Sequence, residues 1–337
     1  MQEPLNIVIV GLGNIGRKVF SLTCGSQEFN LVGVVTRNFE RARHDLGSDI
    51  RIYGEDDESW INLVDVAILC GGSKDDLPVQ GPYYASLVNT VDSFDTHAHV
   101  GGYIDPKTRA STLGYYRTMD LIAKATGHTA GVCFGWDPGW FSLMRGLLLA
   151  TLGEGVRVYA FYGLTPLGGY SMGHTNAAKG VLGVADAIQL THAIPEAIER
   201  VRAGENPTFE PGDMHWREVL VALEPEADAE RVRHEIVSMP DYYEPYRTTV
   251  EFVSAEELAQ RVPGMPHDGL VIARSYIGMM EFKVEWPSNP LVTANILLSS
   301  ARAVVRMNRE GCFGAFTALH TPVDYLLSAG TDVIKLV

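Results

Sequence analysis

The chain has 337 residues, 46% of them hydrophobic and 20% charged, an ordinary globular composition with enough length to bury the cores of two domains. Its formal charge of −14 argues against a nucleic-acid or anionic-membrane surface, since either needs a basic face, and an anionic ligand must find a local cationic pocket.

The opening MQEPLNIVIVGLG runs straight into a strand pattern, without the basic region, apolar region and cleavage site of a signal peptide. No apolar run reaches membrane-spanning length. Cys24, Cys70, Cys133 and Cys312 lie far apart with no C-x-x-C pair, so neither a zinc site nor a disulfide framework is signalled. These features predict a reduced, cytoplasmic protein of enzyme size.

NIVIV at 6–10 predicts a buried strand, and the glycine-rich GLGNIG at 11–16 opens a helix to about Cys24. LVGVVT at 31–36 predicts a second strand and DVAILC at 65–70 a third, with a polar helical segment before it. This alternation predicts an α/β fold, a Rossmann-type doubly wound parallel sheet, and it weakens after about residue 134. From Val156 to about Pro287, runs such as VRVYAFYG, AIQLTHAI, EVLVALE, TTVEFVS and GLVIARS predict a second, mixed α+β domain on one larger antiparallel sheet. Residues 290–309 then predict a long amphipathic helix with Pro290 at its first position.

The loop Gly11, Gly13, Asn14, Ile15, Gly16 sits between strand and helix, the context in which G-x-G-x-x-G binds a dinucleotide. The first glycine makes the turn, the second lets backbone approach the pyrophosphate, and the third packs helix on strand. Free N–H groups at the helix start then face the anion. At the end of the second strand, where an acid would accept the ribose 2′-hydroxyl of NAD, the chain has Thr36 and Arg37. A carboxylate would repel a 2′-phosphate, whereas these two could hold one, so NADP is favoured over NAD; the alternative is a solvated surface arginine. Cys70, Gly71, Gly72 and Ser73 end the third strand, where small residues let the nicotinamide half approach. Cys70 reads as a small buried hydrophobe rather than a nucleophile.

Two later turns bring acids to predicted strand ends: NTVDSFDTH with Asp92 and Asp95, and FGWDPGW with Asp137. Each could be a cap or turn former. A carboxylate in a partly apolar wall, with Trp136 and Trp140 beside it, is also suited to hold an ammonium and take up its proton, its own pKa raised by desolvation.

GLGNIG, TVDSFDTH, GWDPG, SMGH and GMPH stand in an order and spacing that resembles the meso-diaminopimelate D-dehydrogenase family over essentially the whole chain. The resemblance implies an NADP-dependent homodimer that reversibly deaminates the D-centre of meso-2,6-diaminopimelate. It implies a nucleotide domain of residues 1–137 with 291–337, and a substrate-binding and dimerisation domain of residues 138–290. It places Asp95 and Asp137 as catalytic acids at the reacting end, with Asp92 and Trp136 beside them. Thr191, Arg217, His267 and Asn289, the last in an SNP turn, are implied at the distal L-centre, and Met172 and Gly173 in a loop closing over the substrate. Taken alone, Arg217 could be a surface salt bridge and His267 a structural hydrogen bond.

The chain departs from the family pattern in places. Thr36, Arg37 and Asn38 stand where Ser-Arg-Arg is frequent, which softens cofactor selectivity, and Tyr162, counted among the substrate contacts, stands where an indole is frequent. The 98–117 segment and the stretch before SMGH are longer. A dehydrogenase of another D-amino acid, or an NADPH-binding sensor without catalysis, are the competing readings; a sensor would need no amino-acid pocket.

Overall fold

The computed structural model describes residues 3–104, 111–240, 242–261 and 264–337. The middle of the long 98–117 segment, residues 105–110, lies outside the described residues. The chain divides into two compact units, Met1–Leu143 with Pro290–Val337, and Met144–Asn289.

In the first unit a seven-stranded sheet runs in the order Gly314–Phe316, Thr129–Gly131, Thr90–Asp92, Val66–Leu69, Leu5–Val10, Phe29–Val35, Ile52–Tyr53, and Tyr103–Ile104 with Ser111–Thr112 form a separate antiparallel pair. Every pairing within the seven-stranded sheet is parallel. The central strand Val66–Leu69 is buried at every position, as expected where helices cover both faces of a parallel sheet. Its Ala67 and Leu69 join Val8 and Val10 in a core closed by Leu77, Tyr84, Phe94, Tyr115 and Met119. The short strand Ile52–Tyr53 carries too few residues to show periodicity in the sequence.

The second unit departs from the single antiparallel sheet that its strand-like runs predict. It holds two sheets: a four-stranded one in the order Gly169–Tyr170, Val184–Ala193, His215–Leu223, Thr248–Phe252, and a three-stranded one in the order Met279–Trp286, His267–Arg274, Val158–Tyr162. The three-stranded sheet is antiparallel, but His215–Leu223 and Thr248–Phe252 pair in parallel. The physical reason is the crossover helix Ala229–Val237 between them, capped by the Asp228 carboxylate at the amides of Glu230 and Arg231. A strand, helix, strand succession returns the chain in the same direction.

The long helix spans Asn289–Arg309 and buries Ala294, Ile296, Leu297, Leu298, Ala301, Ala303, Val304, Val305 and Met307, more than half of its circumference, leaving a narrow exposed row through Leu291, Asn295 and Arg306. Pro290 is its second residue, still within the first turn, where a missing N–H costs nothing. Asn289 is therefore the first helical residue rather than part of a turn, and its amide donates to the Met265 carbonyl at 2.9 Å.

Candidate active site

The first unit offers a cleft of about 290 Å³ at the carboxyl ends of Leu5–Val10 and Val66–Leu69, where the strand order reverses and open sheets receive ligands. Gly11 has φ +91°, and a Cβ on Gly16 would lie 2.1 Å from the Gly11 carbonyl oxygen, so both positions require glycine. Around Gly13 a Cβ would meet nothing within 4 Å. Gly13 also caps the helix Asn14–Thr23 without a side-chain acceptor, the kind of helix start at which an anion binds. The cradle thus fits a dinucleotide pyrophosphate.

Thr36, Arg37, Cys70, Gly71 and Gly72 line the same cleft. Ser73 lies just past it, its hydroxyl accepting from the Asp95 amide at 3.2 Å. Cys70 is buried, and burial pushes its thiol pKa up to about 12, so it packs rather than attacks. Arg37 is not simply solvated: its guanidinium reaches Asp76 at 3.1 Å and Glu55 at 3.7 Å. Arg17 and Arg41 also line the cleft, both facing Asp45, at 2.8 and 3.9 Å. The sequence reading missed these two cations. Arg17 directly follows the glycine loop and Arg41 lies in the first turn of the helix Phe39–Leu46 that follows Arg37, so adjacency to the two motifs was the available signal.

The acidic turns emerge beyond Thr90–Asp92 and Thr129–Gly131, neighbouring parallel strands. Asp95 is exposed to solvent yet crowded by protein, and this desolvation raises its pKa, with the Ser73 hydroxyl and His97 opposing. Asp137 is half-buried, beside Trp136, which is buried edge-on against Phe141 with ring centroids 5.2 Å apart.

Asp92 corrects the expectation of a substrate contact. It has no exposed surface; Oδ1 accepts from the amides of Phe94 at 2.9 Å and Cys133 at 3.1 Å, and Oδ2 from the Tyr115 hydroxyl at 2.7 Å. It thereby ties together the two turns that carry Asp95 and Asp137. Burial raises its pKa to about 6, against these three hydrogen bonds. A carboxyl raised above its ordinary value of 3.8 favours the folded state below that value and loses the contribution as pH rises through about 6. Asp92→Asn keeps an acceptor for both amides and removes the ionisation. It is expected to retain kcat within about tenfold and to flatten the change in thermal midpoint between roughly pH 4 and 7. A hundredfold loss of kcat in a folded Asn variant would show that the charge itself acts on substrate.

The second unit builds a different environment. Thr191 and Arg217 are cross-strand partners on Val184–Ala193 and His215–Leu223, and the Arg217 guanidinium donates to the Thr191 hydroxyl. Arg217 is 7% exposed, stacks over the Tyr246 ring with its central carbon 4.1 Å from the centroid, and leaves Nε without a hydrogen-bond partner. Burial lowers its pKa, with Tyr246, Tyr243 and Tyr162 opposing. Among the described residues, no carboxylate pairs with it.

His267 begins the strand His267–Arg274, buried, with Nδ1 2.9 Å from the Asp268 carbonyl, and a Cβ on Gly169 would strike its ring at 2.7 Å. Tyr162 receives a hydrogen bond from Arg145 at 3.0 Å and stacks on His215. The His215 Nε2 accepts from the Tyr162 amide at 2.9 Å, so that ring is neutral. Burial, then Arg217 and His267, lowers both His215 and His174 to about 3. Met172 and Gly173 are not loop residues: they open the helix Met172–Lys179 behind Ser171, because a β-extended Ser171 passes directly into helical backbone. The Asn289 amide group reaches the Tyr170 carbonyl at 3.5 Å.

Residues 135–286 match the family model described as the diaminopimelic acid dehydrogenase C-terminal domain. The chain is 40% identical to the meso-diaminopimelate D-dehydrogenase of Ureibacillus thermosphaericus over 96% of each chain. It is 39% identical to that of Acetivibrio thermocellus, over 99% of this chain and 97% of the relative. The chain belongs to the meso-diaminopimelate D-dehydrogenase family. Among solved structures, the C. glutamicum DAP dehydrogenase in complex with DAP aligns with TM-score 0.85 and 31% identity, over 99% of this chain and 98% of that one. An engineered D-amino acid dehydrogenase bound to NADP+ aligns with TM-score 0.84 and 31% identity over the same shares. Within this meso-diaminopimelate D-dehydrogenase fold, His174, His215 and Tyr246 went unrecognised in the sequence. His174 lies inside the quoted SMGH, and His215 stands two residues before Arg217, on the same face of its strand.

Proposed function

We propose that this chain oxidises the D-centre of meso-2,6-diaminopimelate with NADP, reversibly, giving L-2-amino-6-oxopimelate and ammonia. The observation that carries the reading is Arg217: a buried guanidinium with no carboxylate partner among the described residues is costly unless a ligand supplies the anion. A short D-amino acid has one carboxylate, at its reacting end, whereas diaminopimelate brings a second.

NADP, when bound on the glycine cradle, supplies the acceptor for the hydride of the D-carbon. Asp95 and Asp137 hold the ammonium at that carbon and take up or relay its proton, so that the nitrogen is neutral as the bond to hydrogen breaks. Trp136 walls the acids with apolar surface. Thr191 and Arg217 take the distal carboxylate and His267 and Asn289 the rest of the L-centre, with Tyr162, Met172 and Gly173 lining the substrate. Binding energy at this end orients the other.

The same reading makes the chain a homodimer, supported by apolar Tyr276, Ile277 and Met279, which stand 96%, 54% and 45% exposed. A cytoplasmic location is supported by four free cysteines and by the described residues containing no helix long and apolar enough to cross a membrane.

Incubation with NADP+ and separately with the meso and LL isomers of diaminopimelate, followed at the NADPH absorbance, tests the proposal. The meso isomer is expected to turn over and the LL isomer to fail, because clamping one L-end leaves the other presenting the wrong group to the nicotinamide. Equal turnover of both isomers would contradict it.

A further inference from the structure

The cation expected at the 2′-phosphate is already held by two acids. Arg37 Nη2 lies 3.1 Å from Asp76 and Nε 3.7 Å from Glu55, and all three residues line the nucleotide cleft. Neither acid is placed by accident of a free rotamer. Asp76 accepts from the Gly72 amide at 2.9 Å through its other oxygen, which fixes it to the turn after Val66–Leu69. Glu55 accepts from the Gln80 side chain at 3.1 Å. The nearby Arg17 and Arg41 are likewise faced by Asp45. Each of these three cations of the cleft therefore faces a carboxylate, Arg17 and Arg41 sharing that of Asp45.

A 2′-phosphate entering this cleft must draw Arg37 away from two carboxylates and then sit beside them, against like charge. A 2′-hydroxyl meets no such penalty, since it can donate to either carboxylate as it does where an acid ends the second strand. We propose that Glu55 and Asp76 set the cofactor choice of this protein: as competing anions they hold Arg37 and bring NAD within about tenfold of NADP in affinity. The proposal rests on the NADP reading above and deepens it, by assigning selectivity to residues that the glycine motif and the second strand do not contain.

The test is calorimetric titration of the nucleotide-free protein with NADP+ and with NAD+, which reads binding and not turnover. Glu55→Gln and Asp76→Asn keep the hydrogen bonds from Gln80 and Gly72 while removing the charges. Each is expected to tighten NADP+ about threefold or more and leave NAD+ level or weaker, and the double variant to widen the preference about tenfold. In an Arg37→Ala background the same substitutions should lose most of that effect, and Arg37→Ala alone should weaken NADP+ while sparing NAD+. Unchanged NADP+ affinity in both single variants, or equal shifts for both nucleotides, would overturn the proposal. Failure of the unaltered protein to bind NADP+ at all would overturn the cofactor reading beneath it, and the proposal with it.

Discussion

Asp137→Asn is expected to lower kcat for oxidative deamination by about a hundred- to ten-thousandfold, with the thermal midpoint and NADP+ affinity unchanged. The asparagine keeps the shape of the half-buried side chain but neither balances an ammonium nor accepts its proton. The variant should therefore depend on substrate that has already lost its proton in solution, so its residual rate should climb more steeply toward alkaline pH than that of the unaltered enzyme. Stopped-flow measurement of NADPH formation across pH, with folding checked by circular dichroism, reads both effects. A folded variant with near-normal turnover would remove Asp137 from the chemistry and leave Asp95 as the acting acid.

For Arg217→Ala the expected result is a selective loss. Removing one partner of a buried charge pair costs about 3–5 kcal/mol, so kcat/KM for meso-diaminopimelate should fall by roughly a hundred- to several thousandfold. D-Alanine, whose single carboxylate belongs to the reacting end, should change little. The neighbouring histidines sharpen this expectation. His174 and His215, lowered to about 3, carry no charge at neutral pH, and no second cation among them substitutes for the lost guanidinium. A penalty as large for D-alanine as for diaminopimelate would show that Arg217 serves the whole fold rather than the distal carboxylate.

What was legible in the sequence was local. The strand before the glycine loop and the helix after it are written within twenty residues, and the fully apolar VAIL of Val66–Leu69 announces a central parallel strand. Pairing in the second unit was harder to read because long strand-like runs do not state their partners. The intervening helix Ala229–Val237 was the clue that Thr248–Phe252 returns in parallel. Asp92 was misread for a related reason. A strand-end acid can point into the cleft or back into the fold, and only Tyr115, twenty-three residues on, decides that it points inward. Arg37 was expected to face the ribose, but its carboxylate partners Glu55 and Asp76 come from other loops that meet it only after folding. Buried Arg217 could not be told from a surface arginine until its strand was seen to carry His215, Arg217 and Val219 inward, all buried together.

The last strand of the nucleotide unit, Gly314–Phe316, pairs with Thr129–Gly131, and the Thr129 hydroxyl donates to the Cys312 carbonyl 183 residues later in the chain. On the ribosome, then, the sheet presents an unsealed edge for as long as the whole second unit is being made. The growing chain can complete its inserted domain first, but the backbone leading into the Asp137 turn, including the Val132 amide that donates to Phe316, acquires its final partner only after that domain has been made. Until then an exposed strand is open to pairing with other chains, and the acid-bearing turn beyond it waits, unfastened, on a strand from the far side of the inserted unit.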